Sequence, residues 1–535
     1  MSLLTVGRLT ESEAPPYGGG GIPAPVATDS LLWVTLLSTA GICAPFFRYV
    51  QWLGDEGVTL HGADRIVRGE RLYAEFFEFL PPGSFLVVAA WMQLIGSSFA
   101  SMRVLAIGVI VAIAGLTYVA ARLTSRNRVL AALLAIMWAA QSQGAWTVIN
   151  HHWFTTAASM ASAVALLWAL GNARDGHTAI FLAGLFAGTA AMITTMRGAL
   201  LGLAVMWLAT TLPDRRRAIP CAAGGLAAFP VAVLVYLGLT GSIVPAYYDA
   251  IVLAARQYPE IQIVQFGAFT APHHAPAVIF LPLTFVLTGI VAVVDGRAAW
   301  QEARLRGALA LAVVALLGAF PRPDLAHINF VLPLACPLFA FVTDRLLRHL
   351  GRRVRLTMSV ALVALVGVVI GYGACKTIVP VVGSLRTVST DRGTFLASPS
   401  PWIEAVAALV ADIERTPSSD PFFFYPYSPM LPYLTAREHV APLDVMVPGY
   451  TTAEQYREVC RRVVRDAQWI VIDRSWSDPR VLRAFYPNMR VSDPPAKREF
   501  EAALRFAFDR VVHMSPIFEL RRRGEMAKDT SCERI

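Results

Sequence analysis

The stretch Phe79-Leu80-Pro81-Pro82-Gly83-Ser84-Phe85-Leu86-Val87-Val88-Ala89-Ala90-Trp91-Met92-Gln93-Leu94-Ile95 decides how the whole chain is threaded. Counted as a membrane crossing, the apolar run 84–95 would invert every loop that follows it. A crossing helix needs about 17 to 25 mostly apolar residues. This run is much shorter, opens on Pro81-Pro82 and carries Gln93, so it reads as an interfacial or re-entrant helix that stays on one side.

Outward from that stretch the chain holds about eleven apolar runs fit to span a bilayer. They lie near residues 31–47, 104–121, 129–145, 155–170, 178–195, 198–212, 221–239, 277–294, 307–320, 328–343 and 357–374. With 84–95 left out, Arg122, Arg126 and Arg128 share one side with Arg215, Arg216 and Arg217, with Arg297, Arg304 and Arg306, and with Arg345, Arg348, Arg352, Arg353 and Arg355. An excess of arginine in short loops marks the cytoplasmic face. The opposite side then receives the loops 48–103, 146–154, 240–276 and 321–327, and everything after about Cys375.

Composition agrees. The 535 residues are 56% hydrophobic and 16% charged, with a mean hydropathy of +0.53, too apolar for a soluble globular protein. Membrane lipid is therefore a partner. The 46 Lys+Arg exceed the 37 Asp+Glu, but the surplus sits in loops between apolar runs and not on one face, which argues against a nucleic-acid partner. Of six cysteines, Cys43, Cys221 and Cys336 fall inside apolar runs; Cys460 and Cys532 are the two placed to pair outside, although their spacing does not demand it.

Three parts follow. Residues 1–29, with a Gly18 to Gly21 tract and neither a basic leader nor a cleavage site, read as a disordered cytoplasmic tail before a retained first helix. Residues 30–374 form the membrane domain. Residues 375–535 alternate helical periodicity (402–414, 456–465, 499–510), a turn-rich stretch (422–433) and a strand (469–473), the pattern of an α/β domain outside the membrane. The expected fold is thus a polytopic α-helical membrane protein of about 11 transmembrane helices with a C-terminal extracytoplasmic α/β domain.

Three clusters on the outer side could carry chemistry. The first loop holds Asp55-Glu56 after Trp52-Leu53-Gly54; neighbouring carboxylates at the interface suit a general base, and equally suit solvated residues at a helix end. Asn150-His151-His152-Trp153 offers imidazoles for a metal or a phosphate and an indole for a sugar ring, or else interfacial residues with Trp153 as a membrane-belt anchor. Adjacent histidines share no helical face, so they are weak ligands for one ion. The short connection Phe320-Pro321-Arg322-Pro323-Asp324-Leu325-Ala326-His327 and the isolated Arg197 place cations where a lipid-linked phosphate would meet water; the competing reading pairs Arg322 with Asp324 to close the turn.

In order, these residues are an Asp-Glu pair after the first span, Gly69-Glu70-Arg71-Leu72-Tyr73, Pro81-Pro82-Gly83, a basic cytoplasmic turn, and Arg322-Pro323-Asp324-x-x-His327. The sequence resembles the GT-C superfamily of integral membrane glycosyltransferases, in the protein-mannosyltransferase and aminoarabinose-transferase-like branch. The likeness covers about residues 30–374, and Tyr425-Pro426-Tyr427 through Tyr433-Leu434-Thr435-Ala436-Arg437 with Trp469 to Asp473 resembles the tail of many bacterial members. The resemblance implies a multi-pass protein of the bacterial inner membrane, a polyprenyl-phosphate sugar donor, a glycan, lipid or protein acceptor on the far side, and inversion at the anomeric carbon. It implies Asp55 as the base, with Glu56 supporting it or binding a metal. Arg322, His327 and Arg197 would hold the donor phosphate, and His151, His152 and Trp153 the sugar or acceptor. Many relatives carry a second carboxylate where this chain has Asn150, His151 and His152, so a divalent cation is a possible cofactor and not a required one. A lipid-linked sugar transporter would need the same cations, and a non-catalytic envelope assembly protein the same outer domain.

Overall fold

The computed structural model describes residues 29–51, 54–144, 146–172, 176–383, 385–447, 451–488, 494–524 and 532, without the side chains of 257–260 and 298–299. All but the last residue of the expected tail over 1–29, together with Trp52 and Leu53, lies outside the described residues.

Among the described residues six helices are long and apolar enough to cross a bilayer: Phe99–Thr124, His151–Gly171, Arg215–Leu239, Pro272–Asp295, Leu325–Arg348 and Arg352–Val382. Shorter apolar helices run over Ser30–Phe46, Gly83–Ile95, Arg128–Ser142, Gly176–Ala191 and Thr195–Ala209. Every apolar run read from the sequence falls on one of these except 307–320, which falls on Ala303–Gly318. Ends differ where caps decide them. The helix expected from 104 begins at Phe99 because the Ser98 hydroxyl accepts the Ser101 amide, and the last helix continues past 374 to Val382. Pro333 and Pro337 divide Leu325–Arg348 into a short helix, a 3-10 turn and a second helix.

Helix Gly83–Ile95 has 13 residues, about 20 Å at 1.5 Å per residue, against a hydrocarbon core of about 30 Å. Its Gly83 amide donates to Met192 O at 2.8 Å, it ends at Gly96 with φ 111°, and Leu94 and Ile95 at its tip are 82% and 62% exposed. Elsewhere small residues let helices touch. A Cβ on Gly184 or Gly188 would collide with the Ala222 or Leu226 carbonyl, and one on Gly225 with that of Phe181, so Gly176–Ala191 and Arg215–Leu239 pack backbone to backbone. Arg352–Val382 leaves Val360, Leu365, Val368 and Val379 exposed, an apolar face suited to lipid.

After Val382 the chain turns to mixed structure. A hairpin of β1 (Arg386–Thr390) and β2 (Gly393–Ala397) precedes helix Pro401–Glu414 and a sheet of β3 (Phe422–Tyr425), β4 (Trp469–Asp473), β5 (Arg510–Met514) and β6 (Phe518–Arg522). The sheet order is β3-β4-β6-β5, with β3 parallel to β4 and the other pairs antiparallel. Strand β3 lies in the stretch read as turns. Pro421, Pro426, Pro429 and Pro432 crowd the stretch and signal turns, yet Phe422-Phe423-Phe424-Tyr425 is buried on both faces. Phe422, Phe424, Trp469 and Val471 pack with Ile403, Val406 and Leu409 on one side; Phe423, Tyr425, Ile470 and Ile472 pack with Val459, Val463, Phe500 and Leu504 on the other. Cys460 and Cys532 form a disulfide.

This sheet does not stand apart from the first loop. The core that holds Ile403 and Phe422 also contains Leu60, Ala63, Val88, Met92 and Met102. Polar ties reinforce it: His61 Nδ1 to Asp444 Oδ2 at 2.8 Å, Arg392 to Asp64 at 2.6 Å, and the Tyr433 hydroxyl donating to Ser97 O at 2.8 Å. A Cβ on Gly57 would collide with the backbone of Met430, so helix Asp55–Val67 lies directly against the turn that follows β3.

Candidate active site

That contact places the first-loop carboxylate. Asp55 opens helix Asp55–Val67, where unpaired amides and the helix dipole favour an anion, and the Tyr427 hydroxyl, 372 residues away in sequence, donates to Asp55 Oδ1. Both residues line a cavity of about 540 Å³. Desolvation at the cavity wall pushes the Asp55 carboxyl above the usual carboxylate range, while the Tyr427 hydrogen bond and the Arg322 guanidinium pull it partly back. A base raised in this way takes a proton more readily near neutral pH.

The connection 321–327 supplies another part of the lining. Asp324 caps helix Leu325–Val331: its Oδ1 accepts from the His327 amide at 3.0 Å and lies 2.7 Å from His327 Nδ1, and its Oδ2 accepts from Arg322 Nε at 2.7 Å. Arg322 Nη1 donates to Gln262 Oε1 at 2.5 Å and Nη2 to Phe485 O at 2.7 Å. The turn-closing pair read from the sequence is therefore present, but a guanidinium has five N–H bonds and these contacts use three. Arg322, Asp324 and His327 all line the cavity.

His151 and His152 line it too. Asn150 accepts the His152 amide at 2.8 Å and so starts helix His151–Gly171, setting both rings at the cavity edge, with the His152 and His327 ring centroids 4.9 Å apart.

Three of the expected residues stand elsewhere. Glu56 is buried in an ion pair with Arg103, and its Oε1 also accepts the Ile149 amide at 3.0 Å, so its oxygens are committed to holding the first loop on helix Phe99–Thr124. A residue next to Asp55 faces a different neighbour because successive helical positions do not share a face. Trp153 is buried, donates from its indole to Trp146 O at 2.7 Å and packs on Trp138 and Phe330, which leaves no ring face for a sugar. Trp146 lines the cavity in its place. Arg197 is buried behind the cavity, with Nε donating to Gly318 O at 2.8 Å and its guanidinium 5.9 Å from the Phe330 ring. Among the described residues no group of three or more His, Cys, Asp or Glu is arranged to hold a metal ion.

Reading along the sequence misses the part of the wall made after residue 375. Tyr427, Phe485 and Tyr486 line the cavity, and Trp476 packs between Tyr427 (5.0 Å) and Phe485 (5.3 Å). The Tyr425-Pro426-Tyr427 motif was legible, but no local spacing ties it to residue 55. Replacing Tyr427 with Phe is expected to remove the bond that holds down the Asp55 pKa. The ionised base is the active form, so the acid limb of the kcat/KM profile should move to higher pH; an unmoved limb would separate Tyr427 from the base.

No protein-family model matches the chain, and no curated protein matches it. Two solved structures of ArnT from Cupriavidus metallidurans do match. The one bound to undecaprenyl phosphate aligns with TM-score 0.54 and 13% identity over 95% of this chain and 100% of that one. The apo form aligns with TM-score 0.50 and 14% identity over 94% and 98%. The chain shares the fold of these ArnT structures. Mycobacterial arabinofuranosyltransferase AftD aligns with TM-score 0.44 and 13% identity over 94% of this chain and 40% of that one. In this fold the first-loop carboxylate and the Arg322 turn line one cavity.

Proposed function

We propose that the chain is an inverting membrane glycosyltransferase that moves a sugar from a polyprenyl-phosphate carrier to an extracytoplasmic acceptor. The observation that carries this reading is a carboxylate, Asp55, open to a cavity that it shares with Arg322 and His327. The fold shared with ArnT and the undecaprenyl phosphate held by one ArnT structure support the donor class.

In this reading Asp55 takes the acceptor hydroxyl proton as the oxygen attacks the anomeric carbon. The bond from that carbon to the phosphate oxygen breaks, and polyprenyl phosphate departs with the bonding pair. The two Arg322 N–H groups without a partner among the described residues meet the charge that develops on it. A single displacement inverts the anomeric centre. His151 and His152 border the sugar, and Arg197 adds positive field from behind. A lipid-linked sugar transporter needs the cations but not the base. Release of polyprenyl phosphate from a labelled donor by the purified protein, with matching label in an acceptor, is the deciding measurement; binding without release would favour the transporter.

Eleven crossings in the bacterial inner membrane, with 375–535 as a domain on the outer side, belong to the same proposal. Besides the arginine asymmetry, the Cys460–Cys532 disulfide supports it, because such bonds persist in oxidising compartments. A cysteine placed at position 126 is expected to react with an impermeant thiol reagent only after the membrane is opened. Labelling from outside intact cells would invert the topology.

A further inference from the structure

A second cavity, of about 330 Å³, is lined by residues close in sequence to those of the first, and its volume is within the range of small-molecule sites. It opens where β3 and β4 end, at Tyr425 and at Ile472 and Arg474. These strands are parallel, and the crevice beyond the carboxyl ends of parallel strands is where open α/β sheets hold ligands. The two cavities draw lining residues from the same two segments. Tyr425 borders one and Tyr427 the other, two residues apart and hence within about 7 Å along the backbone. The segment after β4 does the same, with Arg474, Ser477 and Asp478 at one cavity and Ala484, Phe485 and Tyr486 at the other.

The charge at this second cavity does not balance. Its carboxylates are each neutralised by a cation that is not part of the lining: Glu501 by Lys497 at 2.8 Å, with the Tyr425 hydroxyl donating to it at 2.8 Å, and Asp478 by Arg480 at 2.8 Å. Arg474 shares Glu519 with Arg521, at 3.4 and 2.8 Å. Arg505, exposed at the cavity, has no hydrogen bond or ion pair among the described residues. The uncompensated charge facing the space is therefore positive, beside a tyrosine and the Ser477 hydroxyl. Such a set suits a sugar ring bearing an anion, because guanidinium takes carboxylate or phosphate through paired N–H bonds.

We infer that this second cavity binds an anionic saccharide, a sugar carrying a carboxylate or a phosphate, as the part of the acceptor glycan that lies beyond the residue being modified. The acceptor role rests on the glycosyltransferase reading; the binding itself does not.

The experiment titrates the full-length purified protein in detergent with glucuronic acid, glucose 6-phosphate and glucose, followed by saturation-transfer NMR, with inorganic phosphate added as a competitor. One or both anionic sugars are expected to bind at least tenfold more tightly than glucose and than inorganic phosphate, and whichever does identifies the anion. Arg505→Gln should weaken that binding about tenfold, a step of roughly 1.4 kcal/mol. Arg505→Lys should restore part of it, and Asp55→Asn should leave it unchanged. Arg505 is exposed, so these variants are expected to fold. Glucose or inorganic phosphate binding as tightly, an unaffected Arg505→Gln protein, or binding lost in Asp55→Asn would each overturn the site. Polyprenyl phosphate release is scored separately: its absence with sugar binding intact would count against the transferase reading and not against this cavity.

Discussion

Asp55→Asn is expected to lower sugar transfer by about a hundred- to ten-thousandfold while leaving expression, insertion and donor binding close to wild type. The replacement is nearly isosteric, and its amide oxygen still accepts the Tyr427 hydroxyl, so the turn after β3 keeps its seat on helix Asp55–Val67. The amide has no lone-pair basicity with which to take the acceptor proton. Its neighbour supplies the contrast. Glu56→Gln keeps the shape but leaves the Arg103 guanidinium, itself fully buried, without its counter-charge. Breaking one side of a buried ion pair is destabilising by about 3 to 5 kcal/mol, so Glu56→Gln should express poorly or melt early and keep its activity per folded molecule. The two assays, specific activity and thermal melting in detergent, should therefore move for different variants. An Asp55→Asn protein turning over near the wild-type rate would remove the base and put the transporter reading ahead.

What the sequence disclosed follows from the range over which each constraint acts. A crossing helix must satisfy its backbone bonds within one segment, so apolar length alone finds it. The runs at 129–145 and 178–195, whose helices are short, were legible for that reason. The same holds for 84–95, whose apolar run is the helix Gly83–Ile95. Pairings over long separations leave no such trace. Nothing near Glu56 announces Arg103, 47 residues on, and nothing near Arg322 announces the Phe485 carbonyl, 163 residues on. Trp153 reads as an interfacial anchor because tryptophan is common there; only the packing of Trp138 and Phe330 around it makes it core. The misread strand Phe422–Tyr425 has the same cause: prolines speak locally for turns, while its partner Trp469–Asp473 lies far along the chain.

Arg322→Ala is expected to weaken binding of undecaprenyl phosphate by roughly tenfold to a hundredfold, the equivalent of a charge-assisted bond of about 1.5 to 3 kcal/mol. The structure adds a second effect. Arg322 binds Asp324, Gln262 and the Phe485 carbonyl at once, so it also holds together the walls of the cavity contributed by 262–269, 321–327 and 479–486. Losing it should lower kcat as well as raise the donor KM, unlike removal of a cation that only attracts phosphate. Arg322→Lys separates the two contributions. A lysine keeps the charge but cannot reproduce the planar fork that reaches three acceptors in different directions. It should recover part of the affinity for the lipid phosphate and little of the turnover. Asp324→Asn is the matching control: it keeps a side-chain oxygen for the cap but removes the negative charge that pairs with Arg322, freeing a positive site beside the donor. If Arg322→Ala bound undecaprenyl phosphate normally, the turn would be structural only, and the leaving phosphate would have to be met by hydrogen bonds from His327 and by the charge of Arg197.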